Sequence, residues 1–170
     1  VSIVSEKVIE SNYHHYFDPF GGQLPKDQYK GYSMGSGVII DSIEGYIVTN
    51  NHVIEDANEI KVILLDKREV EAEIVATDPP SDLAVLKVMP SNLSTATLGD
   101  SDKMSVGEWV VAIGSPFGLN LNHTVTAGIV SAVGRSSVMS RNNFEDFIQH
   151  DAAINPGNSG GGLFNLDGKL

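Results

Sequence analysis

Short β-branched runs, each cut off within about a dozen residues, leave this chain little to build with except strands. They are "GSGVII" (35–40), "GYIVTN" (45–50), "EIKVILL" (59–65), "REVEAEIVA" (68–76), "DLAVLKV" (82–88), "GEWVVAIG" (107–114), "HTVTAGIVSAV" (123–133) and "EDFIQH" (145–150). Val, Ile and Thr lose rotamer freedom in a helix and pack well on a pleated surface. "REVEAEIV" alternates charged and apolar residues, the period of a half-buried strand. No window of helical length keeps a 3.6-residue period. Many short strands with turn signals between them predict an all-β sandwich or barrel. Two short helical pieces are expected, near 52–57 and 101–104. Residues 10–33 and 134–144 read as long loops, the first carrying His14, His15, Tyr16, Phe17 and Phe20. "LFNLDGKL" reads as strand, Asp167-Gly168 turn and second strand. Only Lys169 and Leu170 follow that turn, so the natural protein is expected to continue.

Composition narrows the function. The 170 residues suit one domain or two small barrels sharing an interface, and 41% hydrophobic against 19% charged residues suits a packed core. Apolar runs such as "VVAI" (110–113) fall far short of the ~20 residues of a membrane helix, so a soluble chain without a transmembrane segment is expected. A net charge of −11 repels a phosphate backbone, which argues against nucleic acid as a partner. With no cysteine, thiolate catalysis, disulfides and cysteine-ligated zinc are excluded. The chain opens at Val1 with no signal or transit segment, and any such segment is expected to have been removed or to have been left out of this sequence.

One stretch suggests chemistry: "NPGNSGGGLF", where Ser159 is ringed by Gly157, Gly160, Gly161 and Gly162. "GNSGG" matches the nucleophile elbow G-x-S-x-G, but that motif needs an acid and a histidine downstream. Only 11 residues follow Ser159, none of them histidine. A phosphate-binding loop fails too, because no Lys-Ser/Thr pair follows the glycines. The surviving nucleophile reading has the chain order His, Asp, Ser. His52, directly after a strand, is a better base than His14, His15, His123 or His150. Asp56, Asp66, Asp78, Asp82, Asp100 and Asp102 all lie between base and serine, and spacing alone selects none. Each residue has a plainer reading beside this one: a serine in a glycine turn, a solvated histidine, a strand-capping carboxylate. His14 and His15 lack partners at metal spacing, and "DSDK" (100–103) lacks the glycine and glutamate of a calcium loop. No metal site and no cofactor are expected.

"TNNHVI", "SDLAVLKV", "LGDSDKMSVGEWVVAIGSPFG", "HTVTAGIVSA" and "QHDAAINPGNSGG" occur in order, and together they resemble the HtrA/Deg family of trypsin-fold serine proteases. The resemblance runs from about Gly35 to Leu170. It implies two antiparallel six-stranded β-barrels of the trypsin/chymotrypsin type. The first would span about 1–95 and the second about 105–170, incomplete in this chain and without the family's PDZ module. It implies His52 as general base, Asp82 as its orienting acid and Ser159 as nucleophile, with the Gly157 and Ser159 N–H groups as oxyanion hole. Ala153, six residues before the serine, stands where trypsin-like pockets carry an acid, so Lys and Arg are not favoured. Ala153, Ile154 and Asn158 are the implied substrate-binding residues, with cleavage after small aliphatic residues.

The family role implied is an endopeptidase degrading misfolded or unfolded polypeptides. The alternative is a chaperone-like binder of such chains with an inactive site. A bacterial cell-envelope location, in the periplasm, and a homotrimer or multiple of trimers are implied in the same way. The chain departs from the family at Gly162, where proline is usual, and at His150, where threonine is more usual.

Overall fold

The computed structural model describes residues 1–10, 28–89, 91–115, 123–136 and 146–170. The expectations for His14, His15, Tyr16, Phe17 and Phe20, and for most of the loop at 134–144, fall outside them. The regular structure of the described residues is almost all strand, in two antiparallel sheets, consistent with a trypsin-like double barrel whose second barrel is incomplete.

The first sheet has the order β2-β1-β5-β6-β7-β4-β3. Its strands are β1 (Ser2–Glu10), β2 (Gln28–Ser36), β3 (Val38–Asp41), β4 (Tyr46–Asn50), β5 (Glu59–Ile63), β6 (Glu69–Asp78) and β7 (Leu83–Val88). The two edge strands of that order, β2 and β3, are separated only by Gly37. They act as one strand that pairs with β1 along one half and β4 along the other. The sheet therefore closes on itself as a six-membered ring, which removes its edges.

Alternation fills the ring. Ile47 and Thr49 of β4 point inward opposite Leu86 and Ala84 of β7. Ile3, Val53, Ile54, Ile60, Val62, Leu64 and Val88 complete the core around them. The charged alternation of β6 works only in part. Val70 and Ala72 pack against the core, but Ile74 and Val75 are exposed, and a bulge between Ile74 and Ala76 shifts the register.

The second sheet has the order β10-β9-β8-β11, from β8 (Trp109–Gly114), β9 (Thr124–Arg135), β10 (Phe147–His150) and β11 (Gly162–Asn165). Val110, Ala112 and Val130 are buried on one face, while Trp109, Ile129 and Val125 stand exposed on the other.

Three expectations need correction. β1 was not foreseen, and residues 28–33 of the expected loop belong to β2. Their polar, glycine-interrupted sequence carries no clear period, yet nine successive residue pairs join β2 to β1. The helix near 52–57 is one turn, α1 (Asn51–Ile54), and 101–104 is a single 3₁₀ turn over Ser101–Lys103. Finally, after the Asp167-Gly168 turn the chain does more than fold back on β11. Asn165 N–H donates to the Lys169 carbonyl, and Leu170 N–H donates to the carbonyl of Thr97 in the segment between the sheets.

Candidate active site

The site forms where the end of β4 and α1, the start of β7 and the glycine-rich loop before β11 converge. β4 carries the chain to Asn50, and α1 then turns His52 outward. Asp82 follows a 3₁₀ turn over Pro79–Ser81 and adopts a left-handed backbone, φ 52°. Aspartate is one of the few residues that enters this region readily. That turn tucks the Asp82 carbonyl under α1, where it accepts from Asn51 N–H at 3.1 Å and from Asn50 Nδ2 at 2.9 Å.

The Asp82 carboxylate then holds His52 at two points. Oδ1 accepts the His52 backbone N–H at 2.9 Å, and Oδ2 lies 2.7 Å from His52 Nδ1. A carboxylate can only accept, so Nδ1 carries a proton, and in the neutral ring Nε2 keeps its lone pair. Both side chains are about half exposed, His52 at 53% and Asp82 at 41%, so His52 is reachable from solvent.

The serine loop is a string of tight turns. Asn158 N–H donates to the Asn155 carbonyl at 3.0 Å. The turn they close has Pro156 and Gly157 at its corner, with Gly157 at φ 102°. That pattern, proline then a residue at positive φ, is a type II turn. Gly161 N–H returns to the Asn158 carbonyl at 2.8 Å. Gly160 then presses the loop onto the first barrel. It sits at φ 79°, and a Cβ there would lie 2.3 Å from both the Ser36 carbonyl oxygen and Thr49 Oγ1. Only glycine fits. The Ser159 loop is thereby set against the ends of β2 and β4, with Gly160 packed on Ser36, Thr49 and Asn50.

Among the described residues, neither the Gly157 nor the Ser159 N–H has a hydrogen-bond acceptor. Ser159 Oγ likewise makes no hydrogen bond among them. Such contacts are often long without substrate and tighten when it binds. Two free, neighbouring N–H groups at a positive-φ glycine are the raw material of an oxyanion hole.

Of the substrate-binding residues expected from sequence, Ile154 and Asn158 line a small cleft of about 90 Å³ together with Ala112, His150, Gly161 and Leu163. Ala153 does not line it; its carbonyl is held by Thr126 Oγ1 at 2.9 Å. A larger cavity of about 450 Å³ shares Ile113 and Gly162 with that cleft and lies against Ile39, Leu64, Leu93, His123 and Phe164. Burial lowers the pKa of His123 there. Among the described residues, no group of three His, Asp or Glu side chains could hold a metal ion, and no helix is long and apolar enough to cross a membrane.

Residues 35–170 match the family model described as a trypsin-like peptidase domain. A Marinomonas protein named a probable periplasmic serine endoprotease DegP-like is 56% identical over 92% of this chain and 33% of its own length. The periplasmic serine endoprotease DegP of Salmonella typhimurium is 54% identical over 88% of this chain and 30% of its own length. This chain spans about a third of the length of the curated relatives it matches. A solved HtrA-type protease, AlgW S227A with a decapeptide, superposes with a TM-score of 0.87 at 45% identity, covering 99% of this chain and 52% of that one. The chain belongs to the trypsin-like peptidase domain family and is of its HtrA/Deg type.

Proposed function

We propose that this protein is a serine endopeptidase that cuts unfolded or misfolded polypeptides after small aliphatic residues. The observation that carries the reading is the two-point hold of Asp82 on His52. It leaves Nε2 as the atom available to act as base. In the mechanism, His52 Nε2 takes the Ser159 proton as Oγ attacks the scissile carbonyl. Asp82 keeps the ring in that tautomer and stabilises the imidazolium, and the Gly157 and Ser159 N–H groups receive the oxyanion. The imidazolium then protonates the leaving amine. No cofactor enters these steps.

The cleft lined by Ile154 and Asn158 is small, which suits Val, Ala or Ile at the cleaved position. Action in the periplasm follows the names of the relatives; a role in protein quality control is part of the proposal and rests on the resemblance to the HtrA/Deg family. Assembly as a homotrimer or multiple of trimers belongs to the same reading.

Labelling with a fluorophosphonate probe, mapped by peptide mass, tests it. Such a probe reacts rapidly with an activated serine. Label on Ser159 that disappears in Ser159→Ala supports the endopeptidase. An unlabelled protein that shields casein from aggregation without cutting it points to a binder.

A further inference from the structure

Ser36, the last residue of β2, is 1% exposed and touches the serine loop at two places. Its backbone N–H donates to the Ser159 carbonyl at 2.7 Å, and its Oγ donates to the Gly157 carbonyl at 2.8 Å. These are the two residues whose N–H groups form the candidate oxyanion hole. The direction of the side-chain bond is unambiguous. Ser115 N–H donates to Ser36 Oγ at 2.8 Å, and a carbonyl can only accept, so the single hydroxyl proton must go to Gly157. Ser36 is itself fixed, because its carbonyl accepts Thr49 Oγ1 at 2.7 Å.

Each contact grips the peptide unit that follows a hole residue. With those two carbonyls held, rotation about the bonds that aim the Gly157 and Ser159 N–H groups is opposed from both sides of the loop. The bond from β2 also crosses from the barrel that holds His52 and Asp82 to the loop that holds Ser159. We propose that Ser36 is a positioning residue for the oxyanion hole, its hydroxyl setting the Gly157 peptide in register with Ser159. The inference rests on the endopeptidase reading. Ser36 touches neither substrate nor the reacting atoms.

The test is kinetics of Ser36→Ala and Ser36→Thr against the unmutated protein, each normalised to sites titrated with a fluorophosphonate. The substrate is a chromogenic peptide ending in valine, and binding of the matching peptide boronate is measured beside it. Ser36→Ala should lose ~10-fold or more in kcat, short of the ~10²–10³ expected for deleting a hole donor outright, with KM within about two-fold. Boronate affinity should fall in parallel, because its adduct places an oxygen in the hole. Ser36→Thr, which keeps the hydroxyl, should recover most of the loss.

Unchanged kcat per titrated site in Ser36→Ala, even with a lower melting temperature, overturns the inference while leaving the endopeptidase intact. So does a loss carried by KM alone. Should Ser36→Ala fail to fold, Thr49→Val replaces it: a selective fall in kcat supports the role, and full kcat overturns it. An unmutated protein that neither labels nor cuts overturns the endopeptidase reading and this inference together.

Discussion

Asp82 binds His52 through both carboxylate oxygens, Oδ1 to the backbone N–H at 2.9 Å and Oδ2 to Nδ1 at 2.7 Å. One contact fixes the ring tautomer and the other fixes the backbone that carries the ring. An amide cannot reproduce both, since one of its two heads is a donor. Asp82→Asn should therefore lower kcat by about 10⁴-fold while leaving the fold intact. Steady-state kinetics and circular dichroism on the same preparation check the two halves of that statement.

Ser159→Ala removes an oxygen that makes no hydrogen bond among the described residues. Stability should stay within about 0.5 kcal/mol of the parent, while kcat falls by about 10⁶-fold. Urea titration and a sensitive peptidase assay measure the pair. A large loss of stability would give Ser159 a structural role that its contacts do not predict.

Gly160 and Gly107 both have positive φ, 79° and 93°, but their surroundings differ. A Cβ at Gly160 meets the Ser36 carbonyl and Thr49 Oγ1 at 2.3 Å, whereas one at Gly107 meets nothing within 4 Å. Gly107→Ala should cost about 1–2 kcal/mol, the backbone penalty alone. Gly160→Ala adds overpacking of about 1–3 kcal/mol and should also abolish labelling of Ser159. Equal denaturation midpoints for the two variants would contradict the close docking of the serine loop on β2 and β4.

His123 supplies a pH dependence of stability. Burial lowers its pKa in the folded state, and its Nε2 is buried with no hydrogen-bond partner among the described residues. The unfolded chain then takes up a proton before the folded one does. Stability should be complete above the unfolded value, ~6.5, and should decline as pH falls below it toward the lower folded value. His123 sits at φ 60°, a region asparagine tolerates, so His123→Asn is a fair comparison. Denaturation midpoints at pH 7.5 and 5.5 should differ less in that variant than in the parent.

Much of the first barrel was legible because its strands carry their own pattern. β4, β5 and β7 appear in the sequence as β-branched runs, and the structure buries alternate residues of each. β1 and β2 were missed because their stability comes from pairing with each other, and β2 offers few apolar residues to reveal it. The bulge at Ile74–Ala76 was invisible for a related reason: alternation in sequence assumes an unbroken register. At the site, Ser159 and its glycines stood out locally. Ser36 did not, although the flanking Gly35 and Gly37 mark a backbone under close approach on both sides.

By itself, the sequence determined what is local: strand after strand from side-chain shape, the turn at Asp167-Gly168, and a serine among glycines. The order of recognisable blocks added the family. Spacing alone selected none of six acids and the resemblance only implied Asp82; the tertiary structure supplied the contact itself, because the left-handed turn at Asp82 and the β4–β7 pairing bring its carboxylate to His52. Only the tertiary structure joined Ser36 to Gly157, residues 121 apart. Local preferences bias each residue's own dihedral angles. Contacts across such distances depend on how the closed barrel and the second sheet come together.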